Sequence, residues 1–106
     1  MNPMLQAIRY NIRTRQYEFS RHALDQSIRR AIRVAELEQA LLGDSEILEQ
    51  YPEDKYGPSC LLLGFTDAGR ALHVVCSTPA RPILKIITLY EPDPVQWLNH
   101  RIRRNP

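Results

Sequence analysis

Hydrophobic positions recur at helical spacing in the first third of this chain and at two-residue spacing after it. Leu5, Ile8 and Ile12 follow Asn2-Pro3, a capping residue and a proline placed where its missing N–H costs nothing. They predict a short amphipathic helix over 3–14, with Arg9 and Arg13 toward the end where cations favour the helix dipole. A helix this short is marginal alone and must dock on its own domain or on a second copy. Residues 17–20 read as a brief strand or extended lead-in. Ser20 then caps a helix to about Ala31, whose apolar positions are Leu24, Ile28, Ala31 and Ile32. The next helix spans about 34–42, with Val34, Leu37 and Leu41 inward, Ala40 beside them and Gly43 as a left-handed stop.

From residue 46 the pattern is that of strands. The expected strands are 46–51, 59–66, 70–77 and 83–90, with a turn at Asp67-Ala-Gly69 and loops at 52–58 and 78–82. The last run is apolar on both faces and should be central, with Ile83, Ile87 and Leu89 buried. Asp93 and Pro94 open a final helix in which Val95, Leu98 and Ile102 face inward and Trp97, Arg101 and Arg104 share a second face. The expected fold is α+β: an antiparallel four-stranded sheet packed by two helices of the N-terminal half, with an extra N-terminal helix and a C-terminal helix. One domain fills 1–106, divided into a helical extension (1–16), a core (17–97) and a basic end (98–106).

Composition narrows the classes. Hydrophobic residues at 43% and charged residues at 25% are globular values. No apolar run approaches the ~20 residues of a membrane span, and no apolar leader core precedes the first helix, so the cytoplasm is the expected location. Cys60 and Cys76 fall in apolar runs and read as buried thiols; without C-x-x-C or H-E-x-x-H spacing, no metal or cofactor is expected. The net charge of +2 is segregated: residues 1–35 carry seven basic and two acidic groups, 36–54 seven acidic and none basic, 55–106 seven basic and three acidic. Such blocks can mark a polyanion-binding surface, or they can neutralise one another on the folded surface.

Phe19-Ser-x-His22-Ala, Arg30-x-Ile32, Ala40-Leu41, the segment from Gly43 to Tyr51-Pro52, Leu62-Leu-Gly64, Leu72-His73-Val74 and Thr88-x-Tyr90-x-Pro92-Asp-x-x-x-Trp97 occur in a series that resembles the bacterial domain of unknown function 4258. The resemblance covers residues 17–97. It implies a remote likeness to the small RelE/ParE-like toxins of toxin–antitoxin pairs, with two helices on an antiparallel sheet. Two positions depart from the family pattern: Gln26 replaces a common arginine, and Arg33 stands where a serine or threonine caps the next helix. The second should cost roughly 0.5–2 kcal/mol unless the cap forms another way.

Through that resemblance the implied activity is metal-independent RNA cleavage, in which the 2′-hydroxyl attacks the adjacent phosphate. A base, an acid and cationic stabilisation are then needed. His22 and His73 have the titration range for proton transfer, Arg30 and Arg70 the fork for phosphate oxygens, and Tyr90 or Lys85 could assist. RNA and an antitoxin-like protein are the implied partners, and the N-terminal helix offers a homodimer contact. Each residue also has a plain structural reading. His22 can fix the start of its helix, His73 can be a satisfied semi-buried ring, Arg30 can pair with Glu46 or Glu49, and Tyr90 and Trp97 can pack. The rival function is a non-catalytic protein-binding module that uses the sheet face.

Overall fold

The computed structural model describes residues 2–55, 57–78 and 82–105; Tyr56 in the 52–58 loop and residues 79–81 in the 78–82 loop lie outside the described residues. Helix α1 spans Pro3–Arg13. Asn2 caps it, its Oδ1 accepting from the Met4 N–H at 3.0 Å, and Ile8 and Ile12 are buried. The helix docks on its own domain, against α3 (Val34–Leu42) and β5 (Leu84–Tyr90). Arg9 reaches from α1 to the end of α3, donating to the Gly43 carbonyl at 2.7 Å and to the Leu41 carbonyl at 3.2 Å. Those are carbonyls a helix end leaves without internal partners. With them taken from outside, Gly43 ends α3 at φ −85° rather than in the expected left-handed conformation.

The sheet corrects the sequence expectation. It has five strands in the order β1-β5-β4-β3-β2 and is mixed, not antiparallel and four-stranded. β1 (Tyr17–Phe19) pairs in parallel with β5, Tyr17 beside Leu84 and Phe19 beside Ile86. β2 (Glu46–Tyr51), β3 (Ser59–Phe65), β4 (Ala71–Ser77) and β5 form the antiparallel remainder. A parallel neighbour needs a long crossover, and here the chain through α2, α3 and β2–β4 supplies it. Three residues are too few for a two-residue period to declare itself.

Helix α2 (Arg21–Arg29) also differs in phase. Ser20 fixes its start: the backbone N–H bonds the Ile86 carbonyl at 2.9 Å, the hydroxyl donates to the Ile87 carbonyl at 2.9 Å, and the same oxygen accepts from the Ala23 N–H at 3.0 Å. Held this close to β5, the helix buries its small residues, Ala23 and Ser27. Leu24 and Ile28, expected inward, are 50% and 72% exposed. Val34 and Ile83 are exposed too, and Ile87 is half-buried; Leu84, Ile86 and Leu89 carry the inner face of β5 because a register shift opposite Val75 and Cys76 resets its alternation.

The expected C-terminal helix is a hairpin, β6 (Trp97–Leu98) and β7 (Ile102–Arg103). Asp93 does cap one turn, its Oδ1 accepting from the Val95 N–H at 2.9 Å. Asn99 and His100 then adopt positive φ, 53° and 64°, and the chain reverses. Trp97 is buried, whereas Val95, Leu98 and Ile102 are exposed. The helices and the hairpin therefore lie on opposite faces. Cys60, Leu62, Leu72, Val74 and Cys76 point to the helix side, and Leu61, Leu63 and His73 to the other.

Arg33 has no accepting side-chain atom, and the Glu36 carboxylate caps in reverse by accepting the Arg33 N–H at 3.0 Å. Where α3 crosses β3, a Cβ on Gly64 would lie 2.2 Å from the Ala40 carbonyl oxygen. We expect Gly64→Ala to destabilise the fold by at least about 1–3 kcal/mol, since backbone cannot give way as a side-chain tip can. Ile12→Ala should cost about 2–5 kcal/mol in urea unfolding, which places α1 within the cooperative unit. An Ile12→Ala midpoint equal to wild type would show α1 to be a separable appendage.

Candidate functional site

Two-residue alternation along β4 sends His73 to the hairpin side, where it is fully buried. The Trp97 and Tyr90 rings meet it edge-on, at centroid distances of 4.5 and 5.3 Å. One ring nitrogen, Nε2, lies 2.6 Å from the His100 carbonyl oxygen. A carbonyl only accepts, so Nε2 carries the proton and Nδ1 is left to accept from the Tyr90 hydroxyl at 3.3 Å. Burial pushes the His73 pKa down and that of Tyr90 up. Both groups thus favour their neutral forms. His73 functions as a peg between the sheet and the reversing C-terminal chain.

His22 lies elsewhere. It is exposed in the first turn of α2, on the helix side of the sheet, and among the described residues no hydrogen bond, ion pair or ring contact joins it to His73. Arg70 is tied down on several sides. It meets Glu36 at 3.3 Å and Glu91 at 3.0 Å, and donates to the carbonyls of Arg30 (2.9 Å) and Ala31 (3.0 Å), so it closes the end of α2 onto the sheet. The Glu36 carboxyl is held below its ordinary range by the Arg33 N–H first and by Arg70 as well; Arg70 lowers Glu91 likewise.

Arg30 is exposed and donates from Nε to Gln26 Oε1 at 2.6 Å. Gln26 is thus its neighbour, one turn earlier on α2. The acidic residues expected to pair with Arg30 are taken by the hairpin: Arg101 meets Glu46 at 2.9 Å and Arg103 meets Glu49 at 2.8 Å. Arg103 also lies 4.6 Å over the Trp97 ring. The acidic middle and the basic end of the chain therefore neutralise one another across the sheet. A helix opened by Asp93 and Pro94 would put Trp97, Arg101 and Arg104 on one face; the hairpin instead brings Arg101 and Arg103 to the carboxylates of β2.

Two of the concavities among the described residues bear on the candidate site. A cleft of about 340 Å³ at the end of β5 is lined by Arg30, Tyr90, Glu91, Asp93 and Gln96. It brings two of the expected site residues together, with Arg70 behind Glu91. A groove of about 370 Å³ lies on the hairpin side of the sheet, past the end the hairpin covers. Its lining is Ser20, Asp54, Gly57, Pro58, Ser77, Lys85 and Ile87. Lys85 pairs with Glu18 at 3.4 Å. In sequence the groove was hidden because residues 83–90 read as apolar on both faces; Lys85 was the one charged residue in that run.

The buried His73 sets a pH dependence. Its folded pKa lies below the ordinary 6.5, so the unfolded chain binds more protons and stability is lost as pH falls from about 6.5 toward the folded value. We expect His73→Gln, which keeps a donor for the His100 carbonyl, to flatten this part of the stability profile. Urea midpoints measured from about pH 7 to pH 5 would show it, and an unchanged slope would remove His73 as its source.

No curated protein and no solved structure matches the chain. Residues 19–91 match the family model described as Domain of unknown function (DUF4258), which is more than half of the chain, and the protein belongs to that family.

Proposed function

We propose that this domain is a non-catalytic protein-binding module that uses the open end of its sheet face. The observation that carries the reading is the groove past the end of the sheet that the hairpin covers: an apolar floor at Ile87 and Pro58, hydroxyls at Ser20 and Ser77, and opposite charges at Lys85 and Asp54. Such a lining suits an extended peptide with an apolar anchor and a few fixed polar contacts. An antitoxin-like protein is one partner of this kind. The groups an RNA-cleaving reaction would need are spent on architecture, His73 on the hairpin and Arg70 on two carboxylates.

One observation favours the second reading, a toxin-like, metal-independent endoribonuclease with remote RelE/ParE likeness. Arg30 and Tyr90 share a cleft, and Arg30 could approach a phosphate there. The two readings separate in one pair of measurements. Purified protein incubated with RNA in EDTA should leave it intact at any protein concentration. A photo-crosslinking residue at Ile87 should join a partner polypeptide in host cells, and Lys85→Glu should abolish that product. Cleavage that falls about 10²–10⁴-fold on Tyr90→Phe would instead establish the ribonuclease.

A further inference from the structure

Cys60 and Cys76 stand directly opposite each other where β3 pairs with β4. Both side chains point to the helix side, both are fully buried, and both are free thiols. Opposed residues of an antiparallel pair hold their Cα atoms about 4.5–5.5 Å apart, inside the roughly 4.4–6.8 Å that a disulfide spans. Opposed residues share one face of the sheet, so the two thiols are neighbours within the same buried layer. We propose that Cys60 and Cys76 form a redox-active dithiol that closes to a cross-strand disulfide when the protein meets a peroxide.

The two sulfurs are not equivalent. Donation from Cys76 holds the Cys60 thiol below its ordinary range, while that donation and burial push Cys76 well above it. Cys60 is therefore the first nucleophile. Its thiolate attacks one peroxide oxygen, the O–O bond breaks, and the departing oxygen leaves as water once protonated, giving a sulfenic acid. Cys76 Sγ then attacks that sulfur, the S–O bond breaks, and the Cys76 proton leaves with the hydroxide as a second water. Two thiols are oxidised by two electrons and one peroxide is reduced to two waters.

Access follows from position. Cys60 is the second residue of β3 and Cys76 the last but one of β4, so a small oxidant reaches them by a local opening that parts the Ser59–Ser77 pair and the Thr78 N–H bond to the Pro58 carbonyl (3.1 Å) beyond it. That rung continues into Pro58 and Ser77 of the groove, so the cross-link would fix one groove wall. The chemistry itself does not depend on what the groove binds.

The test treats the folded, full-length protein with dilute hydrogen peroxide, then denatures and alkylates it. Untreated protein should accept two alkyl groups. Treated protein should accept none, weigh two hydrogens less, yield a peptide joining residues 60 and 76, and regain both thiols with dithiothreitol. Cys76→Ser should stop at a sulfenic acid on Cys60 that dimedone traps. Wild-type protein decides the matter even if that variant fails to fold. Persistent alkylation at both thiols, cross-linking between molecules, or closure seen only in denaturant would overturn the proposal.

Discussion

The contact that the helix layer depends on is the one between Gly64 and Ala40. A Cβ at residue 64 would meet Ala40 backbone at 2.2 and 2.7 Å, so α3 lies nearly on the β3 backbone. That approach brings Leu37 and Leu41 onto Leu62, Leu72 and Val74, all fully buried. It also fixes where α3 ends, and so where Arg9 of α1 finds the Leu41 and Gly43 carbonyls. Dispersion falls steeply with separation, so a helix lifted by the width of one methyl group would loosen this whole layer. Ala40-Leu41 and Leu62-Leu-Gly64, distant in sequence, are two halves of one packing constraint.

The opposite face is organised by a polar constraint. A buried imidazole must have both nitrogens satisfied, and His73 obtains this from Tyr90 and from the His100 carbonyl. His100 sits at φ 64°, where a non-glycine residue is uncommon, so the tertiary bond is made at a strained turn. The Arg101–Glu46 and Arg103–Glu49 pairs hold the returning strand over β2. Such half-exposed pairs are worth little singly. Their effect here is one of position, since they align the hairpin whose buried Trp97 supplies the apolar contact.

What the sequence made legible was local. Asn2-Pro3 and Ser20 mark helix starts because their signals act within three residues, and Gly69, at φ 86°, marks its turn for the same reason. The strands over 46–51, 59–65 and 71–77 announce themselves by period and composition. What failed was decided by partners far along the chain. The brief strand read at 17–20 becomes a fifth, parallel member of the sheet because β5 offers an edge, α2 turns Ala23 and Ser27 inward because β5 lies so near, and Asp93-Pro94 starts a helical turn that the His73 contact then ends. The site residues divide the same way. Their chemical capacities were plain from residue type, but not whether Arg70 would meet two carboxylates before any ligand.

A sheet of this size has two faces to close and little chain to close them with. Three helices cover one face with an apolar layer that includes the opposed free thiols of Cys60 and Cys76. The other face is closed by a hairpin with two-residue strands, which covers the end bearing Phe65, His73 and Tyr90. At the far end Ile87 and Lys85 stay partly open beside Ser77. The groove is thus where the covering chain ends, and half-buried side chains there keep apolar surface that a partner could bury. Ionisable groups under the hairpin are held neutral or paired. That stabilises the cover and leaves them poorly placed for proton transfer, which is the physical ground for the binding proposal at this face.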